Sequence, residues 1–122
     1  KKILKSMNIE YVDFGCNVPK DIDYNEFVTQ ATQSIKDKVC DFGLGFCRTG
    51  QGVNILANSK ENIRAALIHD EYTAEMSRRH NCANFFAIPG KYVDDAMLEK
   101  IIKTLRSSSF DGGRHMTRMN SE

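Results

Sequence analysis

Four short apolar runs alternate along this chain with segments of helical period, and this alternation constrains the fold more than any other feature. The runs have the character of buried strands: YVDFG (11–15), FGLGFC (42–47), RAALI (64–68) and NFFAI (84–88). Strands that alternate with helices form a parallel sheet that is covered on both faces. The sequence therefore predicts an α/β fold with a parallel sheet between two layers of helices.

Four helices are predicted around these runs. The first covers 23–38 and starts with a capping-box pattern, Asp23 followed by Glu26. A second starts in the glycine loop after residue 47, and a third is capped by Asp70 and reaches about His80. A fourth is marked by apolar residues at helical spacing: Leu98, Ile101, Ile102 and Leu105. Residues 107–113 read as a loop before a short basic tail.

The balance of charge argues against two classes of partner. The chain has 122 residues, enough for one domain spanning 1–122, and carries 17 basic and 16 acidic side chains. It therefore has no net field to attract nucleic acid or an anionic membrane, and no apolar run approaches the roughly 20 residues that span a bilayer. We expect a small-molecule partner.

The cysteines indicate a reducing compartment. They form no C-x-x-C pair and no secretory segment precedes them, so neither a zinc ribbon nor a disulfide framework is predicted. The four positions are Cys16, Cys40, Cys47 and Cys82. We expect a cytoplasmic protein.

The loop CRTGQG follows the second apolar run, at the position where ligands bind in open α/β sheets. Gly50 and Gly52 free the backbone to direct N–H groups towards an anion, and a helix N-terminus favours the thiolate form of Cys47. Cys47 is therefore a candidate general base; the alternative is a small hydrophobic residue that ends a buried strand. The third glycine of a dinucleotide fingerprint and a G-x-x-x-x-G-K motif are both missing, which argues against nicotinamide cofactors and nucleoside triphosphates.

Two further features supply a candidate acid and a candidate anion clamp. His80 falls near the end of the third helix, where the dipole favours its cation and suits it to donate a proton. Arg114 and Arg118 are four residues apart, so a helical tail places both guanidiniums on one side, which suits a phosphate. The alternatives are a helix-end surface cation and a solvated basic tail. Combined with Cys47, these residues are the parts of a sugar-phosphate isomerase.

Three segments closely resemble the type B ribose-5-phosphate isomerases, the family that also contains the subunits of galactose-6-phosphate isomerase. They are CRTGQGVNILAN, IRAALIHDEYTAEMSRRHNCANFFAIPG and FDGGRHMTR, and the similarity covers residues 11–118 in order. The resemblance implies a Rossmann-like α/β sandwich that dimerises and often forms tetramers. It also implies interconversion of an aldose phosphate and a ketose phosphate through an enediolate, without metal or cofactor.

The resemblance assigns the catalytic roles. Cys47 matches the base of the cysteine-bearing branch, which moves a proton between C1 and C2 of the sugar. Thr49 matches the residue that assists at the substrate oxygens, and His80 matches the group that opens the furanose ring. The backbone of one loop would form the anion hole for the enediolate: Arg48, Gly50, Gln51 and Gly52.

The resemblance also assigns the binding roles, in a site that the family shares between two subunits. Asn81 would hold substrate hydroxyls and Tyr24 would line the sugar pocket. Arg114 and Arg118 would bind the phosphate, and Lys91 stands where the family usually has another arginine. A homodimer that acts on a sugar phosphate is therefore implied.

Three departures from the family pattern affect these assignments. The family begins with a central strand and an Asp-His pair, and nothing here matches them, because the initial KKILKSMN reads as the end of an amphipathic helix. We therefore expect that a βα unit is missing and that these 122 residues are part of a longer chain. Arg48 replaces a small residue, and it would either intrude on the anion hole or add charge to it. Lys91 keeps the positive charge of an arginine but lacks the bidentate hydrogen-bonding geometry of a guanidinium.

Ribose 5-phosphate is the substrate that the resemblance favours, in the non-oxidative pentose phosphate route, because Cys47 is typical of the ribose branch. A six-carbon phosphate such as allose or galactose 6-phosphate is one alternative. A catalytically idle relative that binds sugar phosphate through Arg114 and Arg118 is another.

Overall fold

The computed structural model describes residues 2–15 and 24–119 of the chain. Its helices are α1 (Lys2–Ser6), α2 (Tyr24–Lys36), α3 (Gln51–Asn58), α4 (Glu71–Arg79), α5 (Asp95–Ser107) and α6 (Arg114–Met119). Its strands are β1 (Gly43–Cys47), β2 (Ala65–Leu67) and β3 (Phe85–Pro89). The α/β class that the sequence predicts is confirmed.

The three strands form one parallel sheet in the order β1-β3-β2. Strand β3 is central and buried along its whole length. It pairs with β1 from Gly43 beside Phe85 to Cys47 beside Pro89, and with β2 from Ala65 beside Phe85. The carboxyl ends of all three strands therefore lie at one edge of the sheet, as predicted.

Helices cover both faces of this sheet. Along β3, Phe85 and Ala87 belong to the apolar cluster that contains Val53 of α3, whereas Phe86 and Ile88 belong to the cluster formed with α4 and α5. Side chains alternate between the faces of a strand, so a strand that is apolar at every position needs a cover on each side. The result is the predicted three-layer sandwich.

Close packing of α3 on β1 depends on glycine. A Cβ atom on Gly45 would lie 2.5 Å from Cγ1 of Val53 and 2.8 Å from Cζ of Phe85. No side chain fits at that distance, so α3 approaches the sheet more closely than it could over an alanine. This contact sets the position at which the chain leaves β1 and enters α3.

The four predicted helices are present with small differences at their ends. Asp70 caps α4 as expected, its side chain accepting the Thr73 N–H at 2.7 Å within a capping box. The basic tail is helical in α6, and the N-terminal segment is helical in α1. The proposed Asp23 cap of α2 lies outside the described residues. None of the helices in the described ranges is both long and apolar enough to cross a bilayer.

The prediction of a strand at residues 11–15 is wrong. These residues have no regular secondary structure, and the Gly15 N–H is donated to Oδ1 of Asp13 at 2.8 Å. Val12 is 53% exposed, so its apolar side chain does not join the core. A nearby side-chain acceptor can take the place of the backbone hydrogen bonds between strands, and the Asp13 carboxylate does so here.

Candidate active site

Cys47 ends β1, and the chain then turns into the N-terminus of α3. Gly50 makes this turn in the left-handed region, with φ +76°, and donates its N–H to the Sγ of Cys47 at 3.1 Å. The N–H of Gln51 is donated to the hydroxyl of Thr49 at 3.4 Å. Since the first N–H groups of a helix have no partner within the helix, this turn directs backbone donors at the thiol and the hydroxyl.

Gly50 is buried at this turn, and a larger residue there would require its neighbours to shift. A Cβ atom there would lie 2.4 Å from Cδ1 of Leu67 and 3.3 Å from the backbone nitrogen of Pro89. The turn is therefore packed against the ends of β2 and β3. This packing fixes the Gly50 N–H relative to the cysteine sulfur.

A second segment closes the other side of Cys47. The Gly90 N–H is donated to the carbonyl of Cys47 at 2.8 Å, and the Lys91 N–H is donated to the carbonyl of Arg48 at 3.1 Å. The two segments line an open cavity of about 420 Å³, formed by Phe46, Cys47, Arg48, Gly90 and Lys91. Arg48 is exposed and lines this cavity together with Cys47.

His80 belongs to a different group of side chains, at the end of α4. Its ring stacks on that of His115 from α6, with centroids 4.0 Å apart and planes 11° apart. Its Nε2 lies 3.9 Å from Oδ2 of Asp111. The Asp111 N–H is donated to the carbonyl of Arg79 at 2.8 Å, which ties the loop before α6 to the end of α4.

An ion pair holds the carboxylate of this second group. Arg79 contacts Oδ2 of Asp111 at 3.1 Å and Oε1 of Glu75 at 2.9 Å. The hydrogen bond to Asp111 and then that to Glu75 raise the pKa of Arg79 above its ordinary value. His80 therefore lies beside a carboxylate that already has one cationic partner.

The candidate phosphate and hydroxyl ligands flank the second group. Arg114 is exposed at the start of α6, directly before His115, and Arg118 follows four residues later in the same helix. The side chains of Arg118 and Tyr24 lie outside the described atoms, so their contacts stay predictions. Asn81 is exposed, and its carbonyl accepts the Nε–H of Arg64 at 2.9 Å.

The two groups lie at opposite ends of the sheet. Cys47 is beside Pro89 at the carboxyl end, whereas Asn81 is bonded to Arg64, the residue just before the amino end of β2. Helix α4 begins after β2 and returns along the sheet for nine residues, about 13 Å, before it reaches His80. Within one chain, the predicted base and the predicted acid are therefore not brought together.

Sequence reasoning missed two residues of the second group, Asp111 and His115. Both are more than 30 residues from His80 in sequence, and only the fold brings them together. No local pattern marks them, since Asp111 reads as a loop residue and His115 as part of a basic tail. Gly90, which lines the cavity at Cys47, was also missed.

Comparisons with known proteins agree with this architecture. Residues 1–121 match the family model described as Ribose/Galactose Isomerase. The chain is 32% identical to ribose-5-P isomerase B of Listeria innocua over 117 residues, which are 96% of this chain and 79% of the relative.

Two solved structures are similar throughout. Ribose-5-phosphate isomerase B of Clostridium thermocellum is 37% identical, with a TM-score of 0.92 over 98% of this chain and 81% of that one. Ribose-5-phosphate isomerase B of Mycoplasma genitalium, solved with bound ribulose-5-phosphate, is 32% identical, with a TM-score of 0.88 over 98% of this chain and 80% of that one.

Proposed function

The chain belongs to the ribose/galactose isomerase family, and we propose that it interconverts ribose 5-phosphate and ribulose 5-phosphate through an enediolate. The observation that carries this proposal is the thiol of Cys47 at the N-terminus of α3, hydrogen-bonded at 3.1 Å to the Gly50 N–H. The relatives named ribose-5-phosphate isomerase, one of them solved with ribulose-5-phosphate, support this choice of substrate.

The proposed reaction moves one proton between carbons and one between oxygens. Cys47, as thiolate, takes the proton from C2 of the open-chain aldose and returns it to C1, while a proton passes from O2 to O1. Thr49 accepts the Gln51 N–H and so keeps its own hydroxyl proton available for a substrate oxygen. Backbone donors at the start of α3 stabilise the enediolate.

The proposed site takes residues from two copies of the chain. Cys47 and His80 act on neighbouring atoms of the sugar, yet the structure places them at opposite ends of one sheet. A symmetric dimer can bring the carboxyl end of one sheet to the α4 end of the other. Its two-fold symmetry then creates two equivalent sites. We therefore propose a homodimer in which one copy supplies Cys47, Thr49 and Lys91 and the other supplies His80, Asn81 and Arg114.

The test is turnover of ribose 5-phosphate by the purified chain, with allose 6-phosphate as the six-carbon comparison. Cys47→Ser should lower kcat by about 10²- to 10⁴-fold, the usual contribution of a positioned base. Cys40→Ser is the matched control, since Cys40 is also half-buried but lies at the other end of β1, and it should keep full turnover.

The outcomes separate the candidate functions. A Cys47→Ser variant as active as the control would contradict the base assignment. Faster turnover of allose 6-phosphate would make the six-carbon isomerase the function. Binding of both sugar phosphates without turnover would mean that the chain is a catalytically idle relative that only binds them.

A further inference from the structure

We propose that His80, Asp111 and His115 form a binding site for a divalent transition-metal ion such as Zn²⁺, and that the bound ion inhibits the enzyme. The site itself stands on the geometry of these three side chains. The inhibition rests on the proposed function, because it requires that His80 act in the isomerisation.

The ligand atoms are already close together. Each residue offers one ligand atom, and all of these atoms lie within 4.8 Å of one another. A tetrahedral zinc ion with ligands at about 2.0–2.2 Å holds neighbouring ligand atoms roughly 3.3 Å apart. The Nε2 of His80 and the Oδ2 of Asp111 are 3.9 Å apart, and the two imidazoles stack with planes 11° apart. The partly exposed His80 ring must therefore rotate out of this stack before both histidines can bind one ion.

The types of ligand indicate the class of metal. Two imidazoles and one carboxylate suit Zn²⁺, Cu²⁺ or Ni²⁺, whereas Mg²⁺ and Ca²⁺ prefer oxygen ligands alone. The side chains of His80 and Asp111 are 32% and 36% exposed, which leaves an approach for the ion and room for a water as fourth ligand. His115 is 8% exposed and forms the buried wall.

Backbone hydrogen bonds hold the three residues on fixed elements. The N–H of His80 is donated to Met76 at 2.9 Å, that of Asp111 to Arg79 at 2.8 Å and that of His115 to Gly112 at 3.1 Å. Ligands on a fixed backbone lose little freedom when the ion binds.

Arg79 is the competitor for the carboxylate. It contacts Asp111 at 3.1 Å, so the ion must share or displace that contact. Arg79 also contacts Glu75 at 2.9 Å, and it therefore keeps a partner when the Asp111 side chain turns towards the ion.

A metal ion on Nε2 of His80 blocks proton transfer. Coordination uses the lone pair that would otherwise bind the proton, so His80 can no longer exchange a proton with the sugar ring. The proposal gives the ion no step in catalysis. Its expected effect is inhibition that a chelator reverses.

Titration calorimetry with CoCl₂ and ZnCl₂ on the full chain tests the site directly. Asp111→Asn and His115→Gln should each weaken binding at least tenfold. His69→Gln is the matched control: this exposed imidazole lies 3.4 Å from Oδ2 of Asp70, and its removal should leave binding unchanged. Circular dichroism checks folding, and the surface variant Asp111→Asn decides the question if the buried His115 variant does not fold.

Two results would overturn the metal site. One is an affinity of Asp111→Asn for Zn²⁺ and Co²⁺ that equals that of the wild type. The other is an absorption spectrum of the Co²⁺-bound chain with thiolate charge-transfer bands, which would place the ion on a cysteine. Inhibition is measured separately, as loss of ribose 5-phosphate turnover with ZnCl₂ and recovery with EDTA. A chain with no turnover at all would refute the proposed function and the inhibition, and the calorimetry would still decide the metal site.

Discussion

Cys47 and His80 lie at opposite ends of one parallel sheet. Cys47 ends β1 beside Pro89, and His80 follows α4 shortly before β3 begins at Phe85. The five residues of β3 separate these two positions by about 13 Å along the strand. An isomerisation that uses both residues on neighbouring atoms therefore needs two copies of the chain.

Gly50→Ala should destabilise the fold and impair turnover. The residue has φ +76°, and an added Cβ would meet Leu67 at 2.4 Å, so we expect a loss of about 1–3 kcal/mol in the free energy of unfolding. The turn would also shift the N–H that is donated to Cys47. Urea denaturation and kcat for ribose 5-phosphate measure the two effects.

Gly112→Ala is the control for stability. Its φ is +70°, but nothing lies within 4 Å of an added Cβ, so only the backbone cost applies. Equal losses of stability in the two variants would mean that packing against Leu67 does not hold the turn.

Arg114→Ala should raise KM more than it lowers kcat. A phosphate that is held equally in the ground state and the transition state contributes to binding alone, and loss of one charged hydrogen bond costs about 1.5–3 kcal/mol, roughly 10- to 100-fold. Arg106→Ala removes another exposed arginine, from the last turn of α5, and should leave KM unchanged. An Arg114→Ala variant with the KM of the wild type would remove Arg114 from the phosphate site.

Asp70→Ala should lower the free energy of unfolding by about 1 kcal/mol at pH 7, the usual contribution of an N-cap. The backbone N–H and then the hydroxyl of Thr73 lower the pKa of Asp70 from its ordinary 3.8. Because the folded pKa is the lower one, the charged cap contributes fully above the unfolded pKa, and this contribution is lost as the pH falls through the folded pKa.

Asp70→Asn separates the contribution of the cap's hydrogen bonds from that of its charge. Asparagine also caps helices well but does not titrate, so its stability should stay near that of the wild type at pH 7. Thermal unfolding of the wild type, Asp70→Asn and Asp70→Ala at pH 7 and below pH 3.8 measures how far the stability of each protein depends on this charge. A gap between wild type and Asp70→Ala that is equally wide at both pH values would contradict the role of the charge.

Local signals in the sequence predicted most of the fold. The apolar runs around Leu44, Ala66 and Phe86 become strands because both faces of the sheet are covered, so continuous apolarity is what burial requires. Asp70 marked the start of α4 because a cap is a bond between near neighbours. The run at 11–15 has similar apolarity but forms a local turn bond instead, which composition does not show.

The candidate site could be predicted only in part, because its second group is assembled by the fold. A glycine loop after a strand was enough to predict that backbone N–H groups gather near Cys47, but not that the Gly50 N–H is donated to its sulfur. His80, Asp111 and His115 come together only because the loop before α6 is bonded to the end of α4. The separation of Cys47 from His80 also depends on the direction in which α4 returns along the sheet.

Mixing two inactive variants tests the central claim most directly. Cys47→Ser and His80→Asn are each expected to be nearly inactive in ribose 5-phosphate turnover. When they are unfolded together, refolded and assayed, half of the dimers are mixed and one of the two sites in each is intact, so activity should recover to about one quarter of the wild type. A mixture of Cys47→Ser and Cys47→Ala is the control and should stay inactive. A mixture of Cys47→Ser and His80→Asn that stays as inactive as this control would contradict a site built from Cys47 of one copy and His80 of the other.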